Sequence, residues 1–563
     1  MNLTSNQQAA VDSTHPLILT LAGPGSGKTR TLVSRIDRLV LNCPPQDIVC
    51  ITFTNAVAKE IQNRVASNGY REIGKPAFDL GYCGTLHGYC LRLIKAHGRQ
   101  FGYGDRLTVL TQEQADEILK QTCASVKWKA ETEVREVLKR GMFALLADCK
   151  TRAFTKAESV ANLYFRTLLA GQMLDFDGIL HTAQRILQCT TFETPLAEHL
   201  MVDEAQDGSD MDFTIYKYLP AVNKCFFADP DQSIYGFRGG NPAHVCRMVE
   251  NPEYEKHFLE ANFRCGQVIC QTAQRLIEVN TDRPKKQTVS ETGTEGKAIS
   301  RSFPNPLAER GAIAHAISEM VGGGENESDM AILCRTNAIA RDFASFLEAQ
   351  GIPVHKKKRE AFPEDWKAIK NLIALLANPD NNALALFHVE HYQGLDAAKA
   401  AELKALTELK TVNAVALRLP YAVSPADCLP ILAQNGASRD GLEMVQNVVN
   451  KLPAGAGIDE LAFAICRDEF NDEEIGEGVT VTTMHAAKGR EWKFVFLPSF
   501  EQGICPNQRK DSDIAEERRL AYVAFTRAKE YLFMSWCQER TPKWGPRTPA
   551  PCAPSQFIAE AGI

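Results

Sequence analysis

Short apolar runs recur along the chain, separated by longer stretches in which apolar residues return at helical spacing. The runs Leu17–Leu21, Ile48–Phe53, His199–Val202 and Cys225–Ala228 form one group. Met330–Cys334, Gly478–Thr483 and Phe494–Leu497 form a second. Rich in β-branched residues, they predict buried strands. Strands that alternate with helices imply parallel sheets covered on both faces. The expected fold class is therefore α/β, with two parallel-sheet domains.

Two segments interrupt this alternation. Residues 89–184 are rich in Glu, Lys, Ala and Leu, and in 366–474 Ala and Leu recur with helical spacing through Ala398–Leu417 and Leu442–Leu452. Each reads as a mainly helical subdomain inserted into an α/β domain. The resulting division is 1–88 and 185–242 for the first domain, with 89–184 inserted. The second domain takes 243–365 and 475–563, with 366–474 inserted.

Composition narrows the setting more than the chemistry. A chain of 563 residues, 44% hydrophobic and 23% charged, has the make-up of a multidomain globular protein. No apolar run approaches the length of a membrane span and the start lacks a signal-peptide layout, so no membrane partner is expected. The 17 cysteines are scattered and never spaced C-x-x-C, which offers no metal motif and suits a reducing cytoplasm. A net charge of −6 leaves a local nucleic-acid groove open. The densest basic run, His355 to Arg359, reads equally as a solvated loop or a phosphate contact.

The first run breaks into Ala22-Gly23-Pro24-Gly25-Ser26-Gly27-Lys28-Thr29. Strand, glycine-rich loop, Lys-Thr and helix, in that order, describe a phosphate cradle rather than a surface turn. Backbone N–H groups would surround the phosphates, Lys28 would reach the β- and γ-phosphates, and Thr29 would hold Mg²⁺. Ala22 departs from the strict glycine pattern, but Gly25, Gly27 and Lys28 remain. A second half-site follows at Asp203-Glu204, two carboxylates at a strand tip. Asp203 suits the metal and Glu204 the base that polarises the attacking water. Hydrolysis also needs positive charge on the leaving phosphate, worth ~10³–10⁵ in rate. Arg264 and Arg527 are candidates that pattern alone leaves as surface or salt-bridge arginines. Phe53, Tyr235 and Phe237 lie in segments attached to this site, and periodicity alone would make them core aromatics.

These stretches resemble, in order and across nearly the whole chain, the UvrD/Rep/PcrA family of superfamily 1 DNA helicases. The series is Leu3 through Val11, Ala22–Thr29, Ile51–Asn55, Gly84–Gly88, Asp203–Asp207, Asp229–Gly239, Leu259–Arg264, Ala331–Asn337, Thr483–Trp492 and Glu516–Ala528. The resemblance implies two RecA-like P-loop domains with ATP and Mg²⁺ in the cleft between them. Gln7 would bind adenine, Arg30 and Phe263 would sandwich it, and Glu491 would bind the ribose. Gln232 would lie at the γ-phosphate and report hydrolysis, and Arg264 and Arg527 would reach that phosphate from the second domain.

For single-stranded DNA the resemblance implies contacts from Phe53, Thr85, His87, Tyr235, Phe237, Arg335, Asn337 and His485. Phe263 stands where the family usually has tyrosine, and Phe237 where it commonly has tryptophan. The second insertion is short for the family and lacks a clear match to its duplex-contacting glycine turn. The chain ends soon after Pro554–Ile558, which resembles the family's domain end, so neither a partner-binding tail nor a nuclease domain is expected. The function implied is an ATP-dependent 3′-to-5′ translocase and helicase acting on single strands and junctions. An ATPase switch that licenses a nuclease or repair partner is the alternative, and an RNA-directed or 5′-to-3′ motor a third.

Overall fold

A computed structural model describes residues 3–72, 80–104, 107–140, 154–355, 363, 365–377, 424–450, 452, 457–466, 477–507, 513–541 and 550–563. Two six-stranded parallel sheets carry it. Across the first run Tyr82–Thr85, Ile48–Thr52, Ala197–Val202, Ala221–Ala228, Leu17–Ala22 and Glu255–Leu259. Across the second run Lys297–Phe303, Ala528–Cys537, Trp492–Leu497, Met330–Cys334, Val479–Thr483 and Val354–His355. The apolar runs become central strands: Ile48–Thr52 and Met330–Cys334 are buried at every position. Such strands have no solvent face, hence their unbroken hydrophobicity.

Three expected boundaries move. Glu255–Leu259 pairs with Leu17–Ala22, so the first domain runs past 242 to its sixth strand. This strand was illegible because it lies at the sheet edge, half-exposed, and its Glu-Lys-His start breaks the apolar pattern. The boundaries expected at 88/89 and 184/185 fall within helices Leu86–His97 and Phe176–Cys189, which pack on each other in the first domain's core. Between them the insertion has its own core around Ile118, Leu119 and Tyr164. Ala374 and Leu375 of the second insertion join that core, and Gln114 donates to Asn371 across the contact at 2.7 Å. Leu442–Leu452 contributes helix Arg439–Val449. The helically spaced stretch Ala398–Leu417 and Lys356–Arg359 lie outside the described residues. Among the described residues no helix is long and apolar enough to cross a membrane.

Candidate nucleotide cleft and strand-facing surface

The phosphate loop follows the buried strand Leu17–Ala22, where Ala22 still has extended, sheet-paired backbone opposite Leu259. Alanine serves at that position because no left-handed turn is needed until Gly25 (φ +65°) and Gly27 (φ +75°). A Cβ on Gly25 would lie 2.7 Å from Arg264 Cβ, and one on Gly27 would lie 2.8 Å from Gln7 Nε2. The loop is tightened by Ser26 Oγ donating to Gly23 O at 2.6 Å. Helix Lys28–Leu39 then starts, its free N–H groups facing the loop.

Gln7 is buried and donates from Nε2 to Ser26 O at 2.8 Å. Its helix, Ser5–Asp12, begins with a capping box in which Thr4 and Gln7 bond each other's backbone. Its far end is gripped by the buried Arg35, whose Nη1 donates to the carbonyls of Ala10, Val11 and Ser13 at 2.8, 3.1 and 2.9 Å. Arg35 thus sets where Gln7 stands, a role with no motif to announce it.

Strand Ala197–Val202 delivers Asp203, whose N–H donates to Ile51 O at 2.8 Å. Lys28 Nζ lies 3.3 Å from Asp203 Oδ1 and pairs closely with Glu204. Burial pushes the Glu204 carboxyl up, but Lys28 and Lys488 outweigh it and hold it down at about 2. Burial dominates at Asp203, which is raised despite Lys28, and at Asp207, pushed up to about 6 despite its pairing with Lys488. Glu204 has a left-handed backbone, φ +51°, a conformation costing about 1–3 kcal/mol that clusters at functional sites. Asp203 Oδ1 is buried with no partner beyond the 3.3 Å approach of Lys28 Nζ, and this carboxylate and the Thr29 hydroxyl are oxygen donors of the kind Mg²⁺ takes.

The second domain faces these carboxylates with arginines. Arg264 Nε donates to Glu491 Oε2 at 2.5 Å, and Lys529 holds the other Glu491 oxygen at 2.9 Å. Arg527 is fully buried, donating to Val523 O at 2.8 Å and to Gln232 Oε1 at 3.0 Å. Burial and the neighbouring Arg264 pull its guanidinium down to about 9. Phe263, 42% exposed, offers a ring face while its N–H donates to Gly25 O at 2.9 Å. Glu204, Gln232, Phe263, Arg264, Glu491 and Arg527 line one cavity of about 490 Å³ with loop 22–30, Arg30 included, and the rings of Phe53 and Tyr235 reach it as well. The size suits a small-molecule ligand. Lys488 and Asp207 line it too, and sequence reasoning gave neither a role although both lie in quoted motifs.

Phe53 and Tyr235 stack face to face, 5.1 Å apart at 12°. Tyr235 meets Phe237 edge-on at 6.0 Å, and Phe237 meets His485 at 5.9 Å. Phe237 is 68% exposed, and the Arg238 guanidinium lies over both Tyr235 and Phe237 at 5.5 and 5.6 Å. His485 is pulled down to about 4 by burial and by Arg335, so its ring is neutral. The remaining expected contacts are spread out. Thr85 is buried and its hydroxyl accepts from Gly88 N–H at 3.3 Å, capping the helix that carries His87. His87 packs on Phe176 at 5.9 Å. Arg335 forks onto Glu517 at 2.9 and 2.5 Å, and Asn337 is exposed at a helix start.

Two RecA-like sheets, a phosphate loop on one and arginines reaching its cavity from the other, define a two-domain P-loop ATPase. Known families place it further. Residues 3–252 match the UvrD/REP helicase N-terminal domain, and residues 257–413 and 447–539 match the UvrD-like helicase C-terminal domain. The chain belongs to the UvrD-like ATP-dependent DNA helicases of superfamily 1. Among its relatives, the ATP-dependent DNA helicase PcrA of Staphylococcus epidermidis strain RP62A is 26% identical over 95% of this chain and 83% of its own length. PcrA of Staphylococcus aureus strain Mu50 is 26% identical over 99% of this chain and 86% of its own.

Proposed function

We propose that this chain translocates 3′ to 5′ along single-stranded DNA and unwinds duplexes, driven by ATP hydrolysis in the cleft between the two sheets. The convergence of Glu204, Gln232, Arg264 and Arg527 on one cavity is the observation that carries this reading. Glu204, held ionised, takes a proton from the attacking water while Gln232 orients that water. Lys28, Arg264 and Arg527 stabilise charge on the transferring phosphoryl group. Gln7 recognises the adenine edge, Phe263 and Arg30 cover its faces, and Glu491 takes the ribose. Thr29 and Asp203 would hold Mg²⁺, which would neutralise phosphate charge. Because two arginines belong to the second domain, nucleotide draws the sheets together and phosphate release lets them part.

Phe237 stacks on bases, with Phe53, Tyr235 and His485 behind it. His87, Arg335 and Asn337 extend the track, and Thr85 shapes it by capping. The direction of travel, and work in DNA repair, replication or recombination in the cytoplasm, follow the family resemblance. Unwinding of 3′-tailed and 5′-tailed duplexes tests the reading. Strand separation from the 3′ tail alone supports it; separation from the 5′ tail alone refutes the direction. The junction between the two insertions at Gln114–Asn371 favours a second reading. An ATPase held in this state, licensing a nuclease or repair partner, would turn over ATP on DNA without separating strands.

A further inference from the structure

The segment Asn280–Lys286 links helix Gln267–Glu278 to the short strand Val289–Ser290, and sequence reasoning gave it no role. The structure buries two of its cations against two carboxylates of the first domain. Arg283 forks onto Asp231 with both bonds at 2.7 Å. Lys286 pairs with Asp229 and lies 3.3 Å from Asp231. Asp229 is 0%, Asp231 1% and Lys286 6% exposed, so a charge left alone here would be costly. Two positive and two negative groups balance.

One member reaches the nucleotide cleft. Asp229 Oδ2 accepts from Gln232 Nε2 at 2.5 Å, and Gln232 Oε1 accepts from Arg527 Nη2 at 3.0 Å. A carboxylate can only accept and a guanidinium can only donate, so the amide between them has one satisfied direction. Turned over, it would set oxygen against oxygen and donor against donor. We propose that Lys286 is a positioning residue that fixes the direction of the Gln232 amide by holding Asp229 against it.

Lys286 also stands three residues before Val289–Ser290, which pairs with Ala261–Asn262 immediately ahead of Phe263 and Arg264. The same cation therefore joins Gln232 of one domain to the arginine-bearing segment of the other. Replacing it would misdirect Gln232 and slow the chemical step, while Lys28 and the phosphate loop would still bind ATP.

This inference rests on the ATPase reading, and the test separates the two. ATP turnover is measured over an ATP series, with single-stranded DNA, for wild type, Lys286→Met, Gln232→Ala and the double variant. Lys286→Met is expected to lower kcat by about 10–10²-fold with little change in KM. Lys286→Arg is expected to recover most of that loss. Because Lys286 acts through Gln232, the double variant is expected to be no slower than Gln232→Ala alone. Multiplying losses, or a Lys286→Met kcat equal to wild type, would overturn the inference. Should Lys286→Met fail to fold, Asp229→Asn takes its place in the same cycle, with the same expectations. A wild-type chain without ATP turnover would overturn the ATPase reading itself.

Discussion

In the nucleotide cleft, Lys28 holds Asp203 and Glu204, Arg264 holds Glu491, and Arg527 holds Gln232. On the aromatic face the rings pack on each other and Phe237 stands largely in solvent. The two regions meet, with Gln232 and Phe237 both on Asp229–Gly239 and the rings of Phe53 and Tyr235 lining the cleft as well. Nucleotide must displace partners that the protein supplies to itself, so binding exchanges one set of ion pairs for another. A base stacking on Phe237, as proposed, would break no ion pair, since the ring is 68% exposed and its neighbours are the Tyr235 and His485 rings and the Arg238 guanidinium. The cleft is thus suited to switching between two arrangements, and the face to holding any base it meets.

The largest effect expected from breaking this contrast lies in the cleft. Arg527→Ala should lower DNA-stimulated turnover by ~10³–10⁵-fold. Phosphate release checks this, with circular dichroism confirming the fold, and a loss below tenfold would remove Arg527 from the chemistry. Next, Glu204→Gln should cost ~10²–10⁴-fold in turnover and leave nucleotide binding in place. Binding of a fluorescent ATP analogue measures the second part, and a variant that hydrolyses normally would refute Glu204 as the base.

The face should respond more gently. Phe237→Ala should spare turnover without DNA and weaken single-strand binding by about 1–3 kcal/mol, about 5–150-fold. Fluorescence anisotropy reads that change, and an unaltered Kd would move the strand elsewhere. The smallest effect concerns His485, whose folded pKa of about 4 lies below its usual 6.5. The unfolded chain therefore binds more protons between those values, and stability falls as pH drops from 6.5 towards 4. His485→Asn should flatten that acid limb in denaturant titrations; an unchanged slope would show that His485 titrates alike in both states.

Legibility followed the reach of each interaction. The phosphate loop and the Asp203-Glu204 pair are local, because a strand end and the next few residues place them. Central strands were legible from their apolar runs, whereas edge strands such as Glu255–Leu259 and Lys297–Phe303 mix charge into the pattern. Pairings across long separations left no local sign. Arg335 meets Glu517 from 182 positions away, and Lys286 meets Asp229 from 57. Arg35 was silent for a related reason: its partners are backbone carbonyls, which any sequence provides. The family resemblance supplied what geometry must otherwise reveal, namely that Arg264 and Arg527 share a site with Lys28.

The most direct measurement is the steady-state rate of ATP hydrolysis by the full chain, with Mg²⁺, in the absence and presence of single-stranded DNA. A rate that rises strongly and saturably with DNA is the expected result, since Gln232 and Phe237 share one short segment. A rate indifferent to DNA would contradict the coupling of cleft and face.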